Sequence, residues 1–219
     1  MHNKKIVIAL PKGRILKELR PLLDLVQITP EEEFDKEDSR KLYFETSNEN
    51  ISFIKVRSFD VATFVAFGSA HLGVVGSDVL KEFNYSELYS PVDLKIGKCS
   101  LCLACSEDTS KELSRLSHIR VSTKYPALTK EYFLKKGIQA ECIKINGAVE
   151  LAPKLGLSSH IVDLVSSGRT IKENGLVVVE KISDISTRLV VNRSIMKTRP
   201  NDVKDLILKF RGIANVSDN

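Results

Sequence analysis

The sequence predicts an α/β protein of two lobes. Three observations carry that prediction. β-Branched runs alternate with amphipathic helical stretches over most of the chain, the alternation restarts near residue 95, and Gly, Pro or Ser marks many of the junctions. Strand–helix–strand alternation argues for largely parallel sheets. The 219 residues suffice for one large domain or two small ones, each with a sizeable core. A composition of 42% hydrophobic and 28% charged residues excludes the disordered and fibrous classes.

Taken in order, "KKIVIAL" is a strand and "RILKELRPLLDL" a helix with Ile15, Leu16, Leu19, Leu22 and Leu23 on one face. Pro21 inside it predicts a kink. "KLYFETSNENISFIKV" reads as a hairpin turning at Asn48–Asn50. "SFDVATFVAFGSA" is a helix capped by Ser58, carrying Val61, Phe64 and Val65, with Gly68 near its end. "HLGVVG" is a buried strand, and "SDVLKEF" opens a helix at Ser77.

The second series runs "KCSLCLAC" (strand), "IRVST" (strand) and "PALTKEYFLKKG", a helix started by Pro126 and stopped by Gly137. "ECIKIN" is a strand, "AVELAPKLG" a short helix, "HIVDLV" a strand and "TIKENG" a helical turn ended by Gly175. The strands "LVVVEKI" and "STRLVVN" follow. "PNDVKDLILKFRGI" closes the chain as a helix with Pro200 near its start.

Several function classes recede at this level. The first apolar run, "IVIAL", is too short for a signal-peptide core or a membrane span, so a cytoplasmic protein without a membrane partner is expected. Net charge is +5 with both signs mixed, and no Lys/Arg block points to nucleic acid. The acidic cluster "EEEFDKED" at 31–38 reads as a solvated loop. Cys99, Cys102 and Cys105 have a spacing found in some iron–sulfur motifs. On a strand, however, alternation puts Cys102 opposite the other two, so the three could not converge on a cluster.

In α/β folds, ligands bind beyond the carboxyl ends of strands, and a cleft between two lobes offers two sets of such ends. "IVDLVSSGRT" ends a strand in small residues with hydroxyls at Ser166, Ser167 and Thr170, around Gly168 and Arg169 and ahead of a helical turn. Taken alone, the stretch reads equally as a polar turn or as a phosphate cradle. Asp163, three residues before Ser166, could reach a sugar hydroxyl or a Mg²⁺ beside the phosphate. Upstream, "NGAVELAP" sets Gly147 between strand and helix and Glu150 in the first helical turn, where it also suits the helix dipole. Two carboxylates in one half suit the vicinal hydroxyls of a ribose. At the amino end, Lys12, Gly13 and Arg14 follow the first strand directly, a polyphosphate grip or a basic surface turn. Arg57 ends the hairpin strand, and Gly76 and Ser77 form another strand-to-helix turn.

Assembled, these segments resemble the ATP phosphoribosyltransferase family, the first enzymes of histidine biosynthesis. The matching stretches are "IALPKGRILKE", "RSFDVATFVAFGSAHLGVVGSDVL", "VSTKYPALTKEYFLKKGI", "IKINGAVELAPKLGLSSHIVDLVSSGRTIKENGL" and "ISTRLVVNR". They occur in the family's order over nearly the whole chain, and the segment from Ile143 to Leu176 is the most specific.

The resemblance implies two lobes like those of type II periplasmic binding proteins. Residues 1–95 plus 183–219 would form lobe I, and residues 96–182 would form lobe II, binding phosphoribosyl pyrophosphate. It implies transfer of the phosphoribosyl group from the Mg²⁺-bound diphosphate to N1 of ATP, releasing pyrophosphate. The Ser166–Thr170 loop would hold the 5-phosphate. Glu150 and Asp163 would lie near the ribose hydroxyls and metal, and Lys12, Arg14 and Arg57 would face the pyrophosphate and triphosphate. The chain looks like the short form, a homodimer or larger, working with a separate regulatory subunit resembling histidyl-tRNA synthetase. His71 and His160 fall in packing or surface roles. Two other readings remain beside it. One is a non-catalytic binding module on the same fold. The other, weaker, is a Rossmann-like phosphoribosyltransferase, whose paired acids before "TG-x-T" correspond here to Val162–Asp163, one acid short, with Ser167 in place of the threonine.

Overall fold

The computed structural model describes residues 5–110 and 117–216. The chain divides into two units, the first built from Met1–Gly97 and Ser186–Asn219 and the second from Lys98–Ile185. The first stretch of unit 1 comprises β1 (Ile6–Pro11), α1 (Arg14–Leu25), a 3-10 turn at Glu32–Asp35, β2 (Tyr43–Glu45) and β3 (Ile51–Val56). It continues with α2 (Ser58–Ala66), β4 (Leu72–Gly76), α3 (Ser77–Phe83) and β5 (Leu88–Asp93). Unit 2 holds β6 (Cys99–Ser106), α4 (Glu107–Ser110), β7 (His118–Thr123), α5 (Pro126–Lys135) and β8 (Gln139–Lys144). It goes on through α6 (Leu151–Lys154), β9 (His160–Val165), α7 (Arg169–Glu173) and β10 (Leu176–Ile185). The chain then re-enters unit 1 as β11 (Thr187–Asn192), α8 (Arg193–Thr198) and α9 (Pro200–Val216).

Unit 1 is a sheet in the order β2-β3-β1-β4-β11-β5. Alternation along its strands sorts side chains onto two faces. Ile6, Ile8 and Leu10 of β1, Leu72 and Val74 of β4, and Leu189 and Val191 of β11 join one core with α1 and α9. Ala9, Val75 and Val190, the residues between, join the other core with Val61, Ala62 and Val65 of α2 and Val79 of α3. Gly73 lets α2 approach closely, since a Cβ there would sit 2.7 Å from Val61 Cγ1 and 2.8 Å from Val65 Cγ2. Unit 2 is a sheet in the order β10-β6-β9-β7-β8. One of its cores gathers Ala104, Val149, Ala152, Ile161, Ile171 and Leu176.

The sheets are mixed, which corrects the expectation of largely parallel pairing. β1 pairs in parallel with β3 and β4, and β7 with β8 and β9. β11 enters antiparallel to both β4 and β5, and β6 antiparallel to both β9 and β10. These two antiparallel strands stand at the chain's crossings between units: β6 is the first strand of unit 2, and β11 is the first after the return, with only Ser186 between it and β10.

Other local expectations also shift. Arg57, not Ser58, is the N-cap of α2, and no side chain caps it. Phe64 is 39% exposed because α2 buries Val61, Ala62, Val65 and Ala66 instead. α1 runs through Pro21 as one helix. The acidic 31–38 cluster is not all solvated: Phe34 in its 3-10 turn is 1% exposed and meets Phe44 edge-on, with ring centroids 5.0 Å apart. Cys99, Cys102 and Cys105 lie along strand β6, all as free thiols. Among the described residues, no helix is long and apolar enough to cross a membrane.

Candidate active site

In unit 1 the sheet assembles one cationic edge. β1 and β3 end together, with Pro11 paired to Val56, and β4 runs beside β1 through Ile8–Leu72 and Ala9–Gly73. The residues that follow these strand ends are Lys12, Arg57 and Ser77. Lys12 N–H donates to Val56 O at 2.8 Å, which extends the ladder one step beyond β1. The chain then turns at Gly13, whose φ of +93° a side chain would strain, and Arg14 opens α1. Lys12, Arg14 and Arg57 are all exposed. The Arg57 carbonyl accepts the Asp60 and Val61 N–H groups at 2.9 and 3.1 Å, which fixes the arginine at the head of α2.

Lys55, one strand position before Val56, is a cation of this edge that the sequence reading passed over. It donates to the Phe34 carbonyl and lies 4.3 Å from the Phe34 ring centroid. Burial pushes its ammonium below the usual lysine range; Asp35 opposes that shift and Lys12 adds to it. The edge is therefore electropositive through more than its exposed residues.

Gly76 and Ser77 occupy the same edge but are turned to the scaffold. Ser77 is 8% exposed, its Oγ accepts Ser186 N–H at 3.3 Å, and its N–H donates to Ser186 O at 2.9 Å. Asp78 folds over Gly76, where an added Cβ would stand 2.0 Å from Asp78 Oδ1. These two residues fasten the point where the chain returns from unit 2.

Unit 2 assembles a different edge. β7 and β8 end level at Thr123–Lys144, and Thr123 also pairs with Val162 of β9. The Thr123 hydroxyl, fully buried, donates to Val162 O at 2.7 Å and accepts Tyr125 N–H at 2.9 Å. That bond locks the strand carrying Asp163 under the loop that follows it. Thr123 and the half-buried Lys124 after it were not singled out in the sequence, although "STKYP" at a strand-to-helix junction was a usable signal.

Beyond these ends lie the two predicted loops. Asp163 is half-buried, and its Oδ1 accepts Leu164 N–H at 2.8 Å. Ser166, Ser167, Arg169 and Thr170 are exposed. Gly168 caps α7 at φ +74°, a left-handed position suited to glycine. Ser167 Oγ accepts Arg169 N–H at 3.4 Å, while the Arg169 side chain pairs with Glu173 at 2.7 Å along α7. The opening amides of a helix have no intrahelical acceptor and suit an anion. In the neighbouring loop Gly147 is exposed, Ala148 takes φ +51°, and half-buried Glu150 is the N-cap of α6, one residue ahead of the helix it was expected to enter. A non-glycine residue in that backbone region costs of order 1–3 kcal/mol, and such strain tends to sit at ligand-binding loops.

His71 and His160 take no part in either edge. His71 Nδ1 accepts Val7 N–H at 2.8 Å. His160 is fully buried at the opposite end of β9, its Nδ1 bonded to Ser159 Oγ at 2.9 Å, and burial holds its pKa below the ordinary value.

The protein is thus a two-unit α/β chain with the fold of type II periplasmic binding proteins, its candidate residues gathered where parallel strands end in each unit. Its backbone overlays the VFT2 domain of Bordetella pertussis BvgS over 98% of this chain and 88% of that one, with a TM-score of 0.61 at 12% identity, a likeness of fold alone. The chain belongs to the ATP phosphoribosyltransferase (HisG) family, whose profile matches residues 57–212. An ATP phosphoribosyltransferase of Rhodospirillum rubrum is 59% identical over 94% of this chain and 92% of its own length. The ATP phosphoribosyl transferase (HisG:HisZ) complex from Thermotoga maritima contains a chain with a TM-score of 0.80 and 31% identity, over 96% of this chain and 98% of that one. The family catalyses the first step of histidine biosynthesis, a phosphoribosyl transfer of the glycosyltransferase type.

Proposed function

We propose that unit 2 binds phosphoribosyl pyrophosphate and that the cationic edge of unit 1 serves the phosphates of the leaving group and of ATP. The observation that carries this reading is the Ser166–Thr170 loop, a run of hydroxyl residues hinged on Gly168 at φ +74° directly after the strand bearing Asp163. Ser166, Ser167 and Thr170, with the opening amides of α7, take the 5-phosphate. Arg169 lines the same loop, although its ion pair with Glu173 assigns it first to holding α7. Asp163 and Glu150 accept hydrogen bonds from the ribose hydroxyls, with Gly147 leaving room for the sugar.

In the reaction the bond between the ribosyl anomeric carbon and the pyrophosphate oxygen breaks, and its electron pair leaves with pyrophosphate. The lone pair of adenine N1 forms the new bond to that carbon. No protein nucleophile is needed. Lys12, Arg14 and Arg57 stabilise the negative charge that grows on the departing group, as preorganised cations do most effectively. The loops of unit 2 contribute positioning. Gly76 and Ser77 act from behind, by fixing Ser186. Mg²⁺ enters as part of the substrate: a magnesium ion bound to phosphates needs only one or two carboxylates from the protein, and Glu150 and Asp163 are two half-buried acids of suitable kind. When bound it neutralises pyrophosphate charge.

We further place the enzyme in the cytoplasm, as a homodimer or larger assembly with a separate regulatory subunit. The Thermotoga maritima complex, HisG with HisZ, supports the last point. The test is to incubate the chain with ATP, phosphoribosyl pyrophosphate and Mg²⁺, with and without such a subunit, and to look by mass spectrometry for ribosylated ATP. Intact ATP in both cases would favour a binding module.

A further inference from the structure

Glu18 joins two features that the reaction scheme leaves separate. It lies one turn into α1, four residues after Arg14. One carboxylate oxygen accepts Gly97 N–H at 2.6 Å, and the other stands 3.9 Å from Arg14 Nε. Arg14 Nη2 in turn donates to the Gly97 carbonyl at 3.3 Å. Arginine, glutamate and one backbone residue therefore close a triangle.

Its backbone corner is rigid. Gly97 is buried at φ +62°, and an added Cβ would meet Thr187 Oγ1 at 2.7 Å and Ile15 Cγ1 at 3.2 Å. Thr187 N–H donates to Ile96 O at 3.0 Å, so the returning strand is stitched to the same segment. Gly97 is also the last residue of unit 1 before the chain passes into unit 2. An arginine held at one edge of its fork keeps its remaining N–H donors aimed one way, whereas an unheld arginine is among the most rotamer-rich of side chains.

We propose that Glu18 is a positioning residue for the transfer reaction. Anchored on the Gly97 amide, it orients the Arg14 guanidinium toward the pyrophosphate group without touching substrate itself. The proposal rests on the reading of Arg14 as a pyrophosphate-facing cation. The sign of the effect is diagnostic, because a carboxylate beside a cation could instead quench its pull on an anion.

Inorganic pyrophosphate is titrated calorimetrically into the full-length chain and its Glu18→Gln, Glu18→Ala, Arg14→Met and Glu18→Gln/Arg14→Met variants, with thermal melting alongside. Glutamine keeps an acceptor for the Gly97 amide but loses the charge facing Arg14. Glu18→Gln weakens pyrophosphate roughly three- to tenfold at an unchanged melting midpoint, and its effect vanishes in the Arg14→Met background. Glu18→Ala binds at least as weakly and also melts lower, because the Gly97 amide loses its partner. Pyrophosphate binding by Glu18→Gln as tight as in the parent, or tighter, while Arg14→Met binds weakly, overturns the proposal and leaves Arg14 in place. Equal losses from Glu18→Gln in both backgrounds overturn it as well. An Arg14→Met variant that binds like the parent overturns the reading of Arg14, and this proposal with it.

Discussion

The two strand edges share an architecture and differ in chemistry. Each lies at the carboxyl ends of three neighbouring parallel strands, β3-β1-β4 in unit 1 and β9-β7-β8 in unit 2. Unit 1 fills the positions after its strands with Lys12, Arg14 and Arg57, cations on long stems. Unit 2 follows its strands with Lys124, Glu150 and the run Ser166, Ser167, Gly168 and Thr170, while its other acid, Asp163, stands inside β9. On the proposed reading, one backbone plan would support two kinds of anion recognition: side-chain charge for the group that leaves, and backbone amides with short hydroxyls for the group that stays.

Substitutions at the unit 2 edge carry the largest expected effect. Gly168→Val places a β-branched residue at φ +74°, a strain of about 2–3 kcal/mol. The expected result is a loss of roughly 30- to 150-fold in kcat/KM for phosphoribosyl pyrophosphate and a much smaller change for ATP. The valine acts through the backbone, since the nearest atom to a Cβ there is Val165 Cγ1 at 3.9 Å. Thr170→Ala removes one hydroxyl, worth about 1 kcal/mol and roughly fivefold. Steady-state kinetics with each substrate varied in turn decides the matter, and equal losses for both would erase the distinction between the edges.

At the unit 1 edge, Arg57→Ala removes a charge-assisted contact of about 1.5–3 kcal/mol. The fall in kcat/KM is roughly 10- to 150-fold. Calorimetry with ribose 5-phosphate should find its binding unchanged, whereas pyrophosphate binding weakens. A variant with parental kinetics would take Arg57 out of the site.

The smallest effect sharpens the comparison from the far end of β9, away from the unit 2 loops. His160 resists protonation in the folded state because burial lowers its pKa, while the unfolded chain takes up a proton near pH 6.5. The unfolded state binds more protons in that range, so stability is fully present above about pH 6.5 and declines as pH falls toward the folded pKa. Melting curves between about pH 7.5 and 5.5 should slope downward for the parent and flatten in His160→Gln. Identical slopes would mean that other groups govern the acid limb.

The α/β class was legible because continuous apolar runs such as Ile6–Leu10, buried over most of their length, alternate with period-3.6 runs such as Leu19–Leu23. β5 escaped notice, since "LYSPVD" lacks alternation and contains Pro91. The reversed entry of β11 is a matter of long-range pairing that no local pattern encodes. The candidate loops could be read for a similar reason: Gly, Ser, Lys and Arg cluster where strands stop. What those residues touch could not. The bond from Arg14 to Gly97 spans 83 positions and that from Ser186 to Ser77 spans 109, so the scaffold role of Ser77 and the triangle around Arg14 emerge only in three dimensions.

The single residue between β10 and β11 sets a limit on how this chain can be altered. With only Ser186 as slack, adding or deleting one position there would shift β11 by one and turn Leu189 and Val191 toward the helices that now face Val190. Length variation must therefore be accommodated in surface turns elsewhere, and a tag or reporter spliced at this junction would scramble the central sheet.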